Sequence, residues 1–316
     1  MRIIYVGTSE FGKPVLKKLI SSDENILAVI TQPDRPSGRG GKIQASPIKE
    51  VALDYGIKIL QPENINHVSA IRQIKALNPD LIILVAYGQI LSGEVLNIPA
   101  LGCLNIHPSL LPKYKGPSPI QWTLIRGEKE TGISFLFMNE KIDAGDIIMQ
   151  KKIEIFPEET YRELSKRLAQ ESADLIGIVL QKIKEGNFAK ISQPRDRFFY
   201  ARKLNKKDCR INWNRSGVDI FNLIRGVTDI PGAYAEFKGK RIKITKVSLL
   251  RKTEHNQQIS DKYPGDIIRV EKNGLYVLAG DQSLIIIKRL VLSGSKEMDV
   301  SQFINGYHLK KGDSFN

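Results

Sequence analysis

An α/β protein with a mostly parallel sheet, followed by a small β-barrel of OB-like type, is what the 316 residues predict. Three observations carry that reading. Short β-branched runs alternate with helical periodicity over the first half of the chain, five short strand patterns crowd the last third, and the positive charge is concentrated at that end. The early strands are expected at residues 3–7, 26–31, 58–60, 81–85 and 103–106, and the helices between them at 12–21, 46–55 and 65–77. Leu81-Ile82-Ile83-Leu84-Val85 is apolar at every position, the pattern of a strand in mid-sheet covered on both faces. Two more strands are expected at 132–138 and 147–155. Thr160 and Glu163 then form a capping box ahead of a long amphipathic helix that reaches Ile183.

Periodicity fails from 186 to 208, where Pro194, Asn205 and many charges read as a connection. The expected organisation is a first domain over 1–189, a linker over 190–208 and a barrel domain over 209–316. The barrel domain should open with a helix over 218–227. Five strand candidates follow, at 233–237, 242–250, 265–270, 275–279 and 284–290, enough for a small barrel.

Charge divides along the same line. Residues 1–189 hold 23 basic and 21 acidic side chains, whereas 190–316 hold 25 and 13, so the net +14 of the chain is almost entirely a property of its second part. An excess spread over a whole domain reads as a sequence-independent hold on phosphates, against the alternative of a solvated surface. Composition also excludes several classes. With 41% hydrophobic residues the chain is not disordered. Cys103 and Cys209 stand alone, which argues for a reducing compartment, no disulfide framework and no zinc site. The four histidines share no metal-type spacing, and no apolar run approaches the roughly 20 residues of a membrane span. The short apolar start is too brief for an export signal, so a soluble cytoplasmic protein is expected.

Two nucleotide-binding patterns fail on inspection. Gly7-Thr8-Ser9-Glu10-Phe11-Gly12-Lys13 has the spacing of a phosphate loop, but Pro14 stands where the magnesium-binding hydroxyl is needed, and Glu10 would repel phosphate. The better reading is a tight strand-to-helix turn with Pro14 in the first helical turn. The three spaced glycines of a dinucleotide site are absent from that turn, and no serine elbow suggests a nucleophilic triad.

One constellation does hold together. Asn105-Ile106-His107-Pro108 lies at the carboxyl end of a predicted parallel strand, where open α/β sheets place their ligands. In an extended chain Asn105 and His107 point to the same side, and Pro108 keeps His107 extended. A proline-rich loop follows from Ser109 through Lys113 to Pro119, suited to forming a ligand wall ahead of a helix that begins near Pro119. Ile142-Asp143-Ala144-Gly145-Asp146 then sets two acids at a tight turn before a strand.

On these residues the chain resembles the folate-dependent formyltransferases, and within them the branch that formylates methionyl-tRNA. Asn105, His107, Asp143 and the Ser109-Leu110-Leu111-Pro112 loop match the wider group. Thr31-Gln32-Pro33-Asp34-Arg35-Pro36-Ser37-Gly38-Arg39-Gly40, Val85-Ala86-Tyr87-Gly88 and the two-domain length match the tRNA branch. The resemblance runs end to end, although Pro108 stands where several relatives have glycine. It implies a Rossmann-like catalytic domain and 10-formyltetrahydrofolate as co-substrate. Asn105, His107 and Asp143 are then catalytic, and Ser109, Leu110, Leu111 and Pro112 contact folate. It also implies a C-terminal barrel that helps hold initiator methionyl-tRNA. Arg35, Arg39 and Lys42 lie in a glycine-rich loop that engages the tRNA acceptor end and is expected to stay disordered until RNA arrives. No metal and no membrane enter this picture, and a monomer is expected. An amino-sugar formyltransferase would share the three catalytic positions, but the charged C-terminal region and the arginine loop argue against it. A noncatalytic RNA-binding protein would leave Asn105, His107 and Asp143 without use.

Overall fold

The computed structural model describes the whole chain except residues 38–40, 195–198, 229–230 and 255–261. It divides into two compact units, one formed by Met1–Pro119, Glu130–Glu154 and Ser165–Arg202, the other by Ile120–Lys129, Ile155–Leu164 and Lys203–Asn316.

In the first unit the chain runs β1 (Arg2–Gly7), α1 (Lys13–Ile20), β2 (Asn25–Ile30), β3 (Arg35–Ser37), β4 (Lys42–Gln44), α2 (Pro47–Asp54), β5 (Ile59–Leu60), α3 (Val68–Leu77), β6 (Leu81–Val85), α4 (Gly93–Leu96) and β7 (Cys103–His107). After α5 (Pro119–Ile125), which falls almost wholly in the second unit, come β8 (Glu130–Phe137), β9 (Ile147–Glu154) and the long α6 (Tyr161–Glu185), whose first turn, through Leu164, is also counted with the second unit. Seven strands form one sheet in the order β5-β2-β1-β6-β7-β8-β9. The first five are parallel, whereas β8 and β9 run antiparallel to their neighbours. Strand β6 is the fourth of the seven and all five of its residues are buried, as its unbroken apolar sequence requires. The chain moves outward from β1 in one direction to β2 and in the other to β6, so a crevice is expected beyond the carboxyl ends of β1 and β6.

Local signals account for the helix ends. The turn after β1 is a single 3-10 turn (Glu10–Gly12), and Pro14 sits in the first turn of α1, with no magnesium-type loop. Ser46 caps α2 through its hydroxyl, and Thr160 and Glu163 bond reciprocally at the start of α6. One expectation is corrected. The loop read as disordered is, in its described part, a two-stranded antiparallel hairpin in which Arg35 pairs with Gln44, Pro36 with Ile43 and Ser37 with Lys42. Asp34 anchors its base by accepting from Lys49 Nζ and from Gln61 Nε2. Charge and glycine content hid this, because the pairing rests on backbone bonds that no residue type announces.

The second unit continues with α7 (Gly217–Gly226), β10 (Tyr234–Phe237), β11 (Lys240–Leu250), β12 (Ile267–Glu271), β13 (Gly274–Leu278), β14 (Leu284–Leu292), β15 (Glu297–Asp299) and α8 (Val300–Tyr307). All five expected strands are present, in the antiparallel order β10-β11-β14-β13-β12, with β15 added against β14. The C-terminal residues bridge the two outer strands: Asn316 exchanges a pair of backbone bonds with Glu236 on β10, while Phe315 and Asp313 bond to Gly265 and Ile267 at the start of β12. Trp213, Ile220, Ile224, Phe237, Phe303 and Phe315 lie in the core beneath. Helix α8 and strand β15 escape sequence reading because the stretch around them is short and broken by Gly294 and charges.

Candidate active site

Asn105 and His107 occupy the carboxyl end of β7 and are 6% and 5% exposed, so two polar side chains are held inside the sheet and each requires a partner. Asp143 supplies it. Asn105 Nδ2 donates to Asp143 Oδ1 at 3.0 Å, and His107 Nδ1 lies 3.5 Å from Asp143 Oδ2. The same Oδ2 accepts the backbone N–H of Gly116 at 2.8 Å. His107 Nε2 is 2.9 Å from the carbonyl of Tyr114, which can only accept, so Nε2 carries a proton and Nδ1 is the nitrogen turned toward the carboxylate. The i, i+2 geometry of the strand and a turn 36 residues further on thus converge on one carboxylate.

That turn is itself unusual. Asp143 has φ of +47°, a left-handed conformation that aspartate tolerates better than most residues. At Gly145 a Cβ would lie 1.7 Å from the carbonyl oxygen of Phe137, so only glycine fits.

The Ser109-Leu110-Leu111-Pro112 loop is a packed wall. Ser109 and Leu111 are buried; Ser109 Oγ donates to the carbonyl of Lys113, and Ser134 Oγ donates to that of Ser109. Gln150 Nε2 reaches both the Leu111 carbonyl and Ser134 Oγ. Beyond the loop, Lys115 is 5% exposed; burial pushes its ammonium below the ordinary lysine range, and the Asp143 carboxylate acts in the opposite sense.

Three cavities meet at these residues. The innermost, of about 110 Å³, is walled by Leu84, Leu91, Leu136 and Met138 and ends on Asn105 and Asp143. It shares Gln89 and Ile90 with a cleft of about 1320 Å³ that extends past Thr8, Gln32 and Ser46 to Arg35. It shares Asn139–Ile142 with a third of about 930 Å³ that reaches Lys115, Gln193 and Tyr200. Sequence reading missed Gln89, Leu91 and the stretch 138–142. Leu84 and Leu91 look like ordinary core, and 138–142 reads only as the approach to a turn.

Sequence reading also missed a glutamine network at the mouth of the large cleft. Gln89 Nε2 donates to Gln32 Oε1 and to the Glu63 carbonyl, and Gln61 Nε2 donates to the Gln32 carbonyl. Arg35 lies exposed beside the large cleft, 3.6 Å from Glu63. Lys42 is placed through its backbone in β4, and Arg39 lies outside the described residues. Burial pushes the Cys103 and Cys209 thiols up to about 12 and about 11, away from thiolate chemistry. Among the described residues no cluster of His, Cys, Asp or Glu could hold a metal ion, and no helix is long and apolar enough to cross a membrane.

A Rossmann-like, mostly parallel sheet in one unit and an antiparallel sheet in the other is the two-part build of a formyltransferase. Residues 1–180 match the family described as formyl transferase, and residues 203–308 match its C-terminal domain. Similar folds include HypX from Aquifex aeolicus in complex with tetrahydrofolic acid (TM-score 0.66, 15% identity, 100% of this chain and 50% of that one). Another is the sugar 3N-formyltransferase WlaRD (TM-score 0.64, 21% identity, 94% and 99%). The methionyl-tRNA formyltransferase of Thermodesulfovibrio yellowstonii is 43% identical over 314 residues, 99% of this chain and 98% of its own. That of Alkaliphilus metalliredigens is 42% identical over 312 residues, 99% and 97%. The chain belongs to the methionyl-tRNA formyltransferase family.

Proposed function

We propose that this chain, acting as a cytoplasmic monomer, transfers the formyl group of 10-formyltetrahydrofolate to the α-amine of initiator methionyl-tRNA. In this reading residues 1–189 carry the catalytic groups, 190–208 connect the two parts while bonding back to the Asp143 turn, and 209–316 hold the RNA. The observation that carries the reading is the convergence of Asn105 and His107 on the Asp143 carboxylate in a chain that matches methionyl-tRNA formyltransferases over almost its full length. The inner cavity suits a flat heterocycle with polar edges, because Leu84, Leu91, Leu136 and Met138 line it together with the polar Asn105, Gln89 and Asp143. Leu84, Leu91 and Met138 would hold the folate head, and the Ser109-Leu110-Leu111-Pro112 loop would back the reacting end.

Bound 10-formyltetrahydrofolate supplies an activated formyl carbon, and attack by an amine places negative charge on the formyl oxygen. Asn105 spends one N–H on Asp143 and has a second to offer that oxygen. His107, whose Nδ1 is the ring nitrogen turned toward Asp143, offers Nδ1–H when the ring carries a second proton. One such donor is worth about 10²- to 10³-fold in rate. Asp143 orients both donors and accepts the proton shed by the amine, directly or through water. Collapse breaks the bond between the formyl carbon and the folate nitrogen, which would take the proton that Asp143 received from the amine, and no acyl-enzyme is required, because the two substrates react side by side.

Support for the RNA half is the net +12 of residues 190–316 together with cations stacked on rings of the antiparallel sheet: Arg241 over Tyr234 at 4.2 Å and Arg269 over Tyr276 at 3.8 Å. Arg35, Arg39 and Lys42 would meet the acceptor end. The test is incubation with initiator methionyl-tRNA and 10-formyltetrahydrofolate, assayed for N-formylmethionine. Formylation of an amino-sugar nucleotide in place of the tRNA, or no formylation at all, overturns the reading.

A further inference from the structure

The turn that presents Asp143 is fastened by a side chain 50 residues away. Gln193 Nε2 donates to the Asp143 carbonyl at 2.9 Å and to the Gly145 carbonyl at 2.8 Å. The orientation of this amide is dictated by chemistry, since its oxygen facing two carbonyls would set acceptor against acceptor. Its oxygen, buried on the other side, finds no donor among the described residues. A buried acceptor without a partner costs stability, so the amide is held here for its two N–H groups. A lysine could also supply two donors, but it would set a second cation beside Asp143 in addition to Lys115. The amide supplies them without charge.

Gln193 is in turn fixed to the sheet. Ile191 exchanges two backbone bonds with Ile147 at the start of β9, each 2.9 Å, and Ser192 Oγ donates to Asp146 Oδ1 at 2.9 Å. The segment therefore bonds to the Asp143 turn at three successive residues. Without that hold, a left-handed aspartate followed by Ala144 and Gly145 has several backbone alternatives, and most of them aim its carboxylate away from Asn105 Nδ2 and His107 Nδ1.

We propose that Gln193 is a positioning residue for formyl transfer: its two N–H bonds lock the Asp143 turn in the one conformation that delivers the carboxylate to Asn105 and His107. The role rests on the reaction proposed above. A displacement of about 1 Å at a reacting group can cost on the order of 10²-fold, so a partial loss of registration should reduce turnover by about 10- to 100-fold.

The experiment is a double-mutant cycle on the full chain with initiator methionyl-tRNA and 10-formyltetrahydrofolate, using Gln193→Met, which keeps the length and removes the donors, Asp143→Asn, and both together. Gln193→Met should lower kcat about 10- to 100-fold with both KM values within about twofold, and should add little once Asp143 is already Asn. Amide hydrogen exchange at residues 144–147 should rise in Gln193→Met whatever the enzyme formylates, which separates failure of this inference from failure of the proposed function. Should Gln193→Met not fold, Gln193→Glu replaces it in the cycle under the same criteria, because its carboxylate opposes both carbonyls. Wild-type kcat, losses that multiply fully across the cycle, or unchanged exchange in the turn would each overturn the role.

Discussion

The Asp143 turn and the Arg35–Gln44 hairpin are both excursions from the same unit, and they are built on opposite principles. Around Asp143 each polar group is tied to a partner far away in sequence: Asn105 and His107 on β7, Gly116 in the following loop, Gln193 beyond α6. The hairpin is held at its base by Asp34, Lys49 and Gln61, but Arg35 and Ile43 stand in solvent, Ile43 at 73% exposure. The difference teaches where each kind of function can reside. Moving a proton and stabilising a developing charge require fixed atoms in a dry place, whereas gripping a polyanion requires charge that is free to meet it.

The contrast is broken most severely at the carboxylate cluster. Asn105→Ala, His107→Ala and Asp143→Ala should each leave the fold intact and lower kcat at least ~10²-fold, measured in steady-state formylation. Near-normal turnover in a folded His107→Ala protein would remove the mechanism.

Next in size is the turn's own backbone. Gly145→Ala drives a Cβ into the Phe137 carbonyl and should cost about 3 kcal/mol or more in denaturant unfolding, with activity lost in proportion to the displaced Asp143. A variant as stable as wild type would show that this turn is softer than its contacts indicate.

The segment whose sequence carries Arg35 and Arg39 should respond differently, in affinity for RNA and not in stability. Arg39→Ala is expected to lower kcat/KM for initiator methionyl-tRNA about tenfold with folate affinity unchanged, and Arg39→Lys to recover only part, because lysine restores charge without the planar fork. Arg35→Ala, which breaks only an exposed pair with Glu63, should cost two- to threefold and leave Tm unmoved. Equal kcat/KM for all these proteins, with initiator and elongator tRNA alike, would make the hairpin surface decoration.

The smallest expected effect is on the basic unit. Removing residues 209–316 is a poor probe, since Ile125 packs into the same core as Trp213 and Phe237. Replacing the exposed Lys240 and Arg241 with Gln is cleaner. If these groups neutralise phosphates, tRNA affinity should fall with log salt by a slope about 1 to 2 shallower than wild type. Identical slopes would mean that the charge of these two side chains serves solubility alone.

Much of this was determined by the amino-acid sequence. The unbroken apolar run of β6, the Thr160 and Glu163 box and the alternation of elements encode the sheet, because each works through neighbours close along the chain. The charge division works the same way, being additive over residues. Asn105 and His107 share a side of β7 because strand geometry has a period of two. The sequence did not reveal the hairpin, whose flanks pair through backbone atoms that carry no side-chain signature, or α8, whose pattern is too short to stand out. Only the tertiary structure decided that the carboxylate meeting Asn105 and His107 sits on a left-handed turn, that Gln193 fastens that turn, and that Leu84, Leu91 and Met138 wall a cavity at the same point. These facts depend on distances between segments up to 50 residues apart or more, and a residue's type fixes what it can bond to but not what the folded chain brings within reach.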